Sequence, residues 1–386
     1  MRIGIPKEVQ AGETRVALIP GLVPLLIKDQ HEVLVEAGAG VRAHFSDAQY
    51  LQAGAALIED APALYEQADM IFKVQPPQMH PAMHLPEAEM VREGSAYIGF
   101  LSPFTHLDVV ETFARRKITA FAMEFVPRIT RAQSMDALSS MSTVAGYKAV
   151  LLATEHLGKM FPLLMTAAGT IRPATVLVLG AGVAGLQAIA TAKRLGAKVE
   201  AFDARPAVRE QIQSLGATFI EMELSQDAEA AGGYAKEQSA SFLKREQEVI
   251  CARFPTVNVV ISTAQVFGKR APVLITTEMV KSLPPGSVIV DLAAEQGGNC
   301  ELTQAGQTID YEGVTIVGAT NVPALLPSDA SQLYAHNVVN LLRYLSPANG
   351  AQPESSDELV KGVCVTCNGE IVHPLLQSSM REEVSR

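Results

Sequence analysis

The segment VLVLGAGVAGLQ, residues 176–187, contains a glycine pattern that few local folds accommodate. Gly180, Gly182 and Gly185 form a Gly-x-Gly-x-x-Gly sequence after a short apolar run typical of a buried strand. We expect Gly180 to permit a tight turn, Gly182 to let a pyrophosphate approach the backbone, and Gly185 to let a helix pack closely on the strand. The pattern predicts a dinucleotide-binding βαβ unit, in which the unpaired N–H groups of the helix N-terminus face the phosphates.

The residues that follow complete this unit and bear on the choice of nucleotide. A helical pattern runs from Leu186 to Leu195, and a second strand-like run, Lys198 to Phe202, ends beside Asp203. A carboxylate at this position accepts hydrogen bonds from ribose hydroxyls and repels a 2′-phosphate, which favours NAD over NADP. Arg205 weakens this preference, because an arginine could pair with that phosphate. We expect bound NAD(H), with a purely structural glycine turn as the alternative.

Length and composition restrict the class of protein further. The 386 residues suffice for about two to three domains, and the apolar fraction of 48% suits large buried cores. The net charge of −10 argues against nucleic acid or an anionic membrane surface as a direct partner. The chain has no apolar run of about 18 residues, which a transmembrane helix needs. It begins at once with a strand-like run, so we expect neither a signal sequence nor direct membrane insertion.

The four cysteines do not form a recognisable metal or redox motif. Cys364 and Cys367 make a C-x-x-C pair, but they lie in an alternating run in which Asn368-Gly369 predicts a hairpin turn. Because they are separated by three positions along a strand, the distance between their Cα atoms would be about 10 Å. A disulfide requires less than about 7 Å. We therefore expect a C-terminal β-hairpin, no bound metal and a reducing compartment.

The alternation of strand and helix signals predicts an α/β protein. It favours two Rossmann-like, doubly wound parallel-sheet domains joined by long helices, with the β-hairpin at the C-terminal end. The first domain would comprise residues 1–136 and 328–386 and would bind no nucleotide, because it has no glycine fingerprint. The NAD(H)-binding domain would comprise residues 137–327. Helical patterns at 134–157 and 328–345 would connect the two domains.

One segment, residues 123–140, concentrates polar side chains where a strand meets the first connecting helix. Hydride transfer requires mainly that donor and acceptor carbons are held close with water excluded, so polar groups near strand ends are the candidates. Gln133 can both donate to and accept from a carboxamide, and Arg128 and Asp136 could pair and order the loop. An ordinary helix N-terminus, started by Gln133 or Ser134 with Asp136 near its positive end, explains the same residues equally well.

Several separate motifs resemble the NAD(H)-binding region, domain I of the alpha subunit, of proton-translocating NAD(P) transhydrogenase, and together they span essentially the whole chain. They are IGIPKEVQAGETRVALIP, PRITRAQSMDALSS, LGAGVAGLQAIATAKRLGA, GGYAKE and PGSVIVDLAAEQGGNCE. Alanine dehydrogenase, the sister family, carries a catalytic histidine after the strand that corresponds to Ser95–Phe100. Here SAYIGFLSPF contains no histidine, and Glu295 stands where those enzymes have an aspartate. Oxidising an amino acid needs a general acid/base, whereas hydride transfer between two nicotinamides does not.

The resemblance implies a role for each candidate site residue. Four side chains would line the nicotinamide and act in hydride transfer, namely Arg128, Gln133, Asp136 and Ser139. The residues implied in cofactor binding are Arg128, Ile129, Thr130, Arg131, Gln133, Ser134, Met135, Asp136, Gly180, Gly182, Val183, Gly185, Asp203, Ala204, Arg205, Gly233, Tyr234 and Gln265. Tyr234 would lie in a small, polar, mobile loop at 228–240 that closes over the nucleotide.

The resemblance is incomplete at two places. The run TAQVFGKRAP is more polar than its counterpart in the family, which puts contacts from Gln265 to Phe267 in doubt. Arg15 and Lys73 match positions that bind the substrate carboxylate in the dehydrogenases. In a chain without an amino-acid substrate they could be structural residues, and both roles stay open.

The resemblance also implies partners and a location. The chain would be the NAD(H)-binding subunit of a Re/Si-specific enzyme, catalytic only when NADP(H) is held on a partner subunit. A membrane-spanning subunit would couple hydride transfer to proton translocation. We expect a homodimer at the cytoplasmic, inner face of the membrane, either as a separate subunit or within a longer chain. The alternatives are alanine dehydrogenase, which would make NADH from alanine unaided, and a non-catalytic NAD(H)-sensing protein.

Overall fold

The structure, a computed structural model, describes residues 1–222, 240–266, 269–346 and 357–384. The chain divides into two compact units. The first unit comprises Met1–Met141 and Ala324–Arg386, and the second unit comprises Ser142–Pro323. Gly233 and Tyr234, in the predicted mobile loop, lie outside the described residues.

The first unit is built on a largely parallel sheet. Up to residue 122 its elements are β1 (Arg2–Ile5), α1 (Val23–Lys28), β2 (Glu32–Glu36), α2 (Asp47–Gln52), β3 (Ala56–Ile58), α3 (Ala61–Gln67), β4 (Met70–Phe72), β5 (Met79–His80), β6 (Leu85–Pro86), α4 (Glu87–Met90), β7 (Ala96–Gly99), α5 (Leu107–Arg115) and β8 (Thr119–Ala122). Its parallel strands follow the order β3-β2-β1-β4-β7-β8. Strands are added first on one side of β1 and then on the other, which confirms the predicted doubly wound arrangement.

The sequence of β1 explains its central position. Ile3 and Ile5 are fully buried, as expected of a strand covered on both faces. Gly4 lies directly against the end of α3, since an added Cβ would be 2.8 Å from the Cβ of Ala68, the residue that follows the helix, and 3.0 Å from Cδ2 of Leu64. A larger residue at this position would therefore push the helix away from the sheet.

The second unit contains a seven-stranded sheet. A long helix, α6 (Ala137–His156), starts in the first unit and continues into the second. The further elements are β9 (Leu164–Thr166), β10 (Gly169–Ile171), β11 (Thr175–Leu179), α7 (Val183–Arg194), β12 (Lys198–Phe202), α8 (Arg209–Ser214), β13 (Thr218–Phe219), α9 (Ala240–Cys251), β14 (Val259–Ser262), α10 (Thr277–Val280), β15 (Val288–Asp291), β16 (Thr308–Tyr311) and β17 (Val314–Gly318). The order is β13-β12-β11-β14-β15-β17-β16, parallel except for β16.

Both faces of this sheet are covered by apolar side chains. Along β11, Val176 and Val178 belong to one hydrophobic cluster, and Leu177 and Leu179 belong to another. Because successive side chains of a strand point to opposite faces, this alternation separates two cores. The near-continuous apolar run before the glycines is thus that of a fully buried parallel strand.

The C-terminal segment completes the first unit. It contains α11 (Pro327–Leu345), α12 (Glu358–Val363), β18 (Cys364–Cys367), β19 (Glu370–Ile371) and α13 (Pro374–Val384). β18 pairs antiparallel with β8 and with β19. Asn368 and Gly369 have φ of 51° and 87°, which confirms the predicted hairpin turn. All four cysteines are free.

The elements that were not predicted include the short pair β5 and β6, the ribbon of β9 and β10, the antiparallel strand β16, and α13. In the ribbon, LLM is a continuous apolar run, without the alternation that indicates a half-buried strand. The helix expected at 134–157 begins at Ala137, because a separate 3₁₀ helix, Thr130–Met135, precedes it.

Candidate nucleotide-binding site

The glycine turn joins β11 to α7 in the second unit, and each glycine has its own steric reason. Gly180 has a φ of +90°, a conformation that is strained for other residues. An added Cβ at Gly185 would lie 1.9 Å from the carbonyl oxygen of Gly180, so the contact of helix and strand requires glycine. At Gly182 no described atom lies within 4 Å of such a Cβ. The turn is therefore closed at Gly185 and open at Gly182, as the approach of a phosphate requires.

The carboxylate of Asp203 accepts four hydrogen bonds beside this turn. Its Oδ2 accepts from the backbone N–H of Ala181 at 2.7 Å. Arg205 donates to it through its backbone N, Nε and Nη2, at 2.8, 2.9 and 2.8 Å. Asp203 thus orders the glycine turn. It also pairs with the guanidinium of Arg205, the group that could otherwise bind the 2′-phosphate of NADP.

The other predicted residues of the second unit lie at ends of neighbouring elements. Val183, the first residue of α7, is 38% exposed, and Ala204, which follows Asp203 in the chain, is buried. Gln265 follows β14, and its Nε2 donates to the carbonyl of Leu292 at 3.0 Å. Thr263 Oγ1 donates to the carbonyl of Gly180 at 3.1 Å, so the segment after β14 is fastened to the glycine turn. Phe267 lies outside the described residues.

Asn299, which the sequence patterns did not single out, links the loops next to the predicted site. Its side-chain amide donates to the carbonyls of Ala264 and Pro272, both at 2.8 Å, and its Oδ1 accepts from the N–H of Ala264 at 3.0 Å. Its own N–H donates to the buried carboxylate of Asp291 at 2.7 Å. Asn299 follows a Gly-Gly pair in the run VDLAAEQGGNCE, and this was the available signal for a fixed loop.

Glu246, on α9, is a second buried carboxyl close to Asp203. It is 4% exposed, and burial together with the charge of Asp203 raises its pKa to about 7. No motif in the sequence indicated this residue, since a glutamate in an amphipathic helix is ordinarily solvated.

In the first unit, the segment 128–139 combines buried anchors with exposed polar side chains. Ala132 and Met135 are buried. The predicted site residues with exposed side chains are Arg128, Thr130, Arg131, Gln133 and Ser134, and those of intermediate exposure are Ile129, Asp136 and Ser139. Arg131 forms an ion pair with Asp357 at 3.2 Å. The predicted site residues that are described thus form one group in each unit.

Asp136 is the N-cap of α6, which corrects the expectation that Gln133 or Ser134 starts the helix. The N–H of Ser139 donates to Oδ1 of Asp136 at 2.9 Å, and Ser139 Oγ donates to Oδ2 at 2.6 Å. An aspartate that caps the helix satisfies a donor that the first turn leaves unpaired. Gln133 is left outside the helix, where its side chain is exposed.

Arg15 and Lys73 belong to a buried ionic cluster of the first unit. Arg15 donates to both carboxylate oxygens of Glu13, at 2.8 and 2.6 Å, and Lys73 Nζ lies 2.8 Å from Glu87 and 3.3 Å from Glu8. Although burial opposes ionisation, hydrogen bonds from Arg15 lower the pKa of Glu13 to about 2. Burial likewise opposes the ammonium, but Glu8 and Glu87 raise the pKa of Lys73. Both cations are therefore neutralised by carboxylates of the same unit.

Two further features are relevant to function. Within the portion of the chain that the structure describes, no group of three His, Cys, Asp or Glu side chains is placed to hold a metal ion. No helix among the described residues combines the length and the apolar character needed to cross a bilayer.

The two halves of the chain match domains of known proteins. Residues 4–145 match the N-terminal domain, and residues 149–374 the C-terminal domain, of alanine dehydrogenase/PNT. The chain is 48% identical to an NAD(P) transhydrogenase subunit alpha protein of Rhodospirillum rubrum, over 97% of this chain and 99% of that protein. It is 28% identical to alanine dehydrogenase of Bacillus subtilis, over 97% of this chain and 93% of that protein. A transhydrogenase structure from Sinorhizobium meliloti, 40% identical, superposes with a TM-score of 0.84 over 97% of this chain and 100% of that chain.

Proposed function

Because this chain belongs to the alanine dehydrogenase/PNT family, we propose that it is the NAD(H)-binding subunit of a proton-translocating transhydrogenase. The observation that carries the proposal is the glycine turn ordered by Asp203, in a chain 48% identical to a transhydrogenase alpha subunit. The subunit would exchange hydride directly with NADP(H) held on a partner subunit. A membrane-spanning subunit would couple this exchange to proton movement, with the present chain at the cytoplasmic face.

The described residues fit a bound dinucleotide, which supplies the hydride. The N-terminus of α7 would stabilise the pyrophosphate with unpaired N–H groups, and the open side of Gly182 leaves room for it. Asp203 would bind the adenosine ribose by exchanging one of the hydrogen bonds that it accepts from Arg205, since a carboxylate offers about four acceptor sites. Gly233 and Tyr234 would cover the nucleotide.

The segment 128–139 would position the nicotinamide. Gln133 would hold the carboxamide with one donor and one acceptor, while Arg128 and the Asp136–Ser139 pair keep the surrounding backbone in place. Hydride transfer between two nicotinamides moves no proton at the reacting carbons, so these side chains would orient the ring rather than act as acid or base.

Alanine dehydrogenase is the weaker candidate function. Its Bacillus subtilis representative is 28% identical, against 48% for the transhydrogenase subunit. The cations at Arg15 and Lys73 are paired with buried carboxylates, so a substrate carboxylate would have to displace Glu13 or Glu87. Residues 100–104, directly after β7, contain no histidine, and the N–H groups of Leu101 and Ser102 donate to Glu124.

Mixing the chain with the NADP(H)-binding subunit tests the proposal directly. NADPH should reduce an NAD analogue bound to this chain, and neither protein alone should give that reaction. NADH formed from alanine by this chain alone would contradict the proposal and establish the dehydrogenase. NADH binding without any hydride exchange in the mixture would establish the sensing alternative.

Replacement of Asp203 by asparagine is expected to reduce the preference for NADH over NADPH. NADH affinity should fall about tenfold, the loss of one hydrogen bond to a charged group, and NADPH affinity should rise as Arg205 becomes available to a phosphate. Titration of nucleotide fluorescence with both cofactors measures the ratio. Glu210→Gln, which removes an exposed carboxylate on α8, is the control and should leave the ratio unchanged. Equal losses for both cofactors would exclude a role for Asp203 in discrimination.

The ribbon of β9 and β10 supports the proposal of a homodimer. The ribbon and the residues just before it expose four large apolar side chains, namely Met160 at 53%, Leu163 at 51%, Met165 at 77% and Ile171 at 40%. A two-stranded ribbon is marginally stable in water, and exposed apolar side chains concentrated in one short segment indicate a protein interface. A second copy of the chain would cover them.

Met165→Asp is expected to weaken the dimer at least about a hundredfold, because a carboxylate would be buried in an apolar contact. Light scattering during size-exclusion chromatography, over a dilution series, measures the change. Met83→Asp is the control, since Met83 is 48% exposed on the first unit, outside the ribbon. A variant that remains dimeric at all concentrations would place the interface elsewhere.

A further inference from the structure

The carbonyl of Ser134 accepts hydrogen bonds from two asparagine side chains of α11. Nδ2 of Asn337 lies 2.9 Å from the Ser134 oxygen, and Nδ2 of Asn340 lies 3.1 Å from it. The two asparagines are three residues apart, so they project from the same face of the helix. A single backbone oxygen of the 128–139 segment is thus held by two amides from a distant region of the sequence.

This carbonyl lies where the backbone hydrogen bonding of the segment changes. The 3₁₀ helix ends at Met135 with the N–H of Asp136 donating to Gln133, and α6 begins with the N–H of Ser140 donating to Asp136. Ser134 lies in the last turn of the 3₁₀ helix, where carbonyl groups lack a partner within the helix. Carbonyls at a helix end are ordinarily satisfied by side chains, capping contacts or water, and here the two amides supply the donors.

The burial of the residues around Ser134 indicates that the two asparagine amides restrain the backbone of this turn. Ala132 and Met135 are buried on either side of Gln133 and Ser134, whose side chains are exposed. Asn337 is only 5% exposed, within the packed face of α11. The orientation of its amide follows from the geometry, because the flipped form would set two oxygens against each other. The turn is therefore fixed through its backbone, while the side chain of Gln133 is left for a ligand.

We propose that Asn337 and Asn340 are positioning residues for hydride transfer, which act by fixing the backbone beside Gln133. The inference rests on the proposed function, because it assigns these residues to the same reaction. A shift of about 1 Å in a group that orients the reacting carbons can slow a reaction about a hundredfold, so loss of the restraint should affect the rate more than the binding.

The double variant Asn337→Ala/Asn340→Ala tests the inference in the complete complex with the NADP(H)-binding subunit. We expect the single-turnover rate of hydride transfer to fall at least about tenfold, with the Kd for NADH within about twofold of the unsubstituted chain. Asn340→Ala alone, at a more accessible position that does not threaten folding, should slow transfer about threefold with an unchanged melting temperature. Gln332→Ala, on the exposed face of α11, is the matched control and should retain the full rate.

Each outcome decides the inference. Wild-type rates in both variants, or equal losses of rate and NADH affinity, would overturn it. If the double variant does not fold, Asn340→Ala alone is the test. Slower transfer at an unchanged Kd supports the inference, and the full rate overturns it. If the unsubstituted chain transfers no hydride, the proposed function fails and the inference fails with it. An active unsubstituted chain with fully active variants would refute the inference only.

Discussion

Gly185→Ala is expected to destabilise the second unit by about 3 kcal/mol or more and to abolish measurable NADH binding. The added Cβ would lie 1.9 Å from the carbonyl oxygen of Gly180, which is a backbone atom that cannot rotate away. The α7 helix would have to move from β11, and its N-terminus would then leave the position in which it faces the pyrophosphate. Thermal unfolding and NADH titration measure the two effects.

Gly182→Ala is the matched control for this prediction. The same methyl group at Gly182 meets no described atom within 4 Å, and the backbone there has a φ of −74°, which alanine adopts without strain. Stability should therefore change little, while NADH affinity should fall, because the methyl group occupies the open side of the turn. Equal stability of the two variants would contradict the close contact between Gly185 and the carbonyl of Gly180.

Gln133→Asn is expected to slow hydride transfer about a hundredfold while changing the Kd for NADH less than about threefold. Asparagine keeps the amide but is shorter by one methylene, so the carboxamide contact would be kept at a displaced position. Single-turnover transfer to the NADP(H)-binding subunit measures the rate, and fluorescence titration measures the affinity.

Gln332→Asn, the same change at an exposed position of α11, should leave both quantities unchanged. Equal losses of rate and affinity in Gln133→Asn would identify Gln133 as a binding residue without a positioning role. Wild-type behaviour would remove Gln133 from the site.

The strand–turn–helix around the glycine pattern was predictable from sequence. A positive φ at Gly180 and close packing at Gly185 depend on residues within a few positions, so the local sequence specifies them. The parallel strands of the first unit were predictable for a similar reason, since each is a short, mostly apolar run. The start of α6 was not, because Ser134 and Asp136 are both ordinary N-cap residues. Asp136 caps the helix, and the carbonyl of Ser134 is bound by two distant asparagines of α11.

The sequence by itself determined that a dinucleotide-binding turn lies at 180–185 and that Asp203 follows the second strand. Tertiary structure decided what these residues contact. It placed the carboxylate of Asp203 on the N–H of Ala181 and buried Lys73 against Glu8. It also brought Asn337 to Ser134 across 203 positions of the chain. The physical reason is the range of each interaction. The backbone conformation of a turn and the apolar pattern of a strand depend on residues close in sequence. Hydrogen bonds between distant segments form only after packing has fixed both partners.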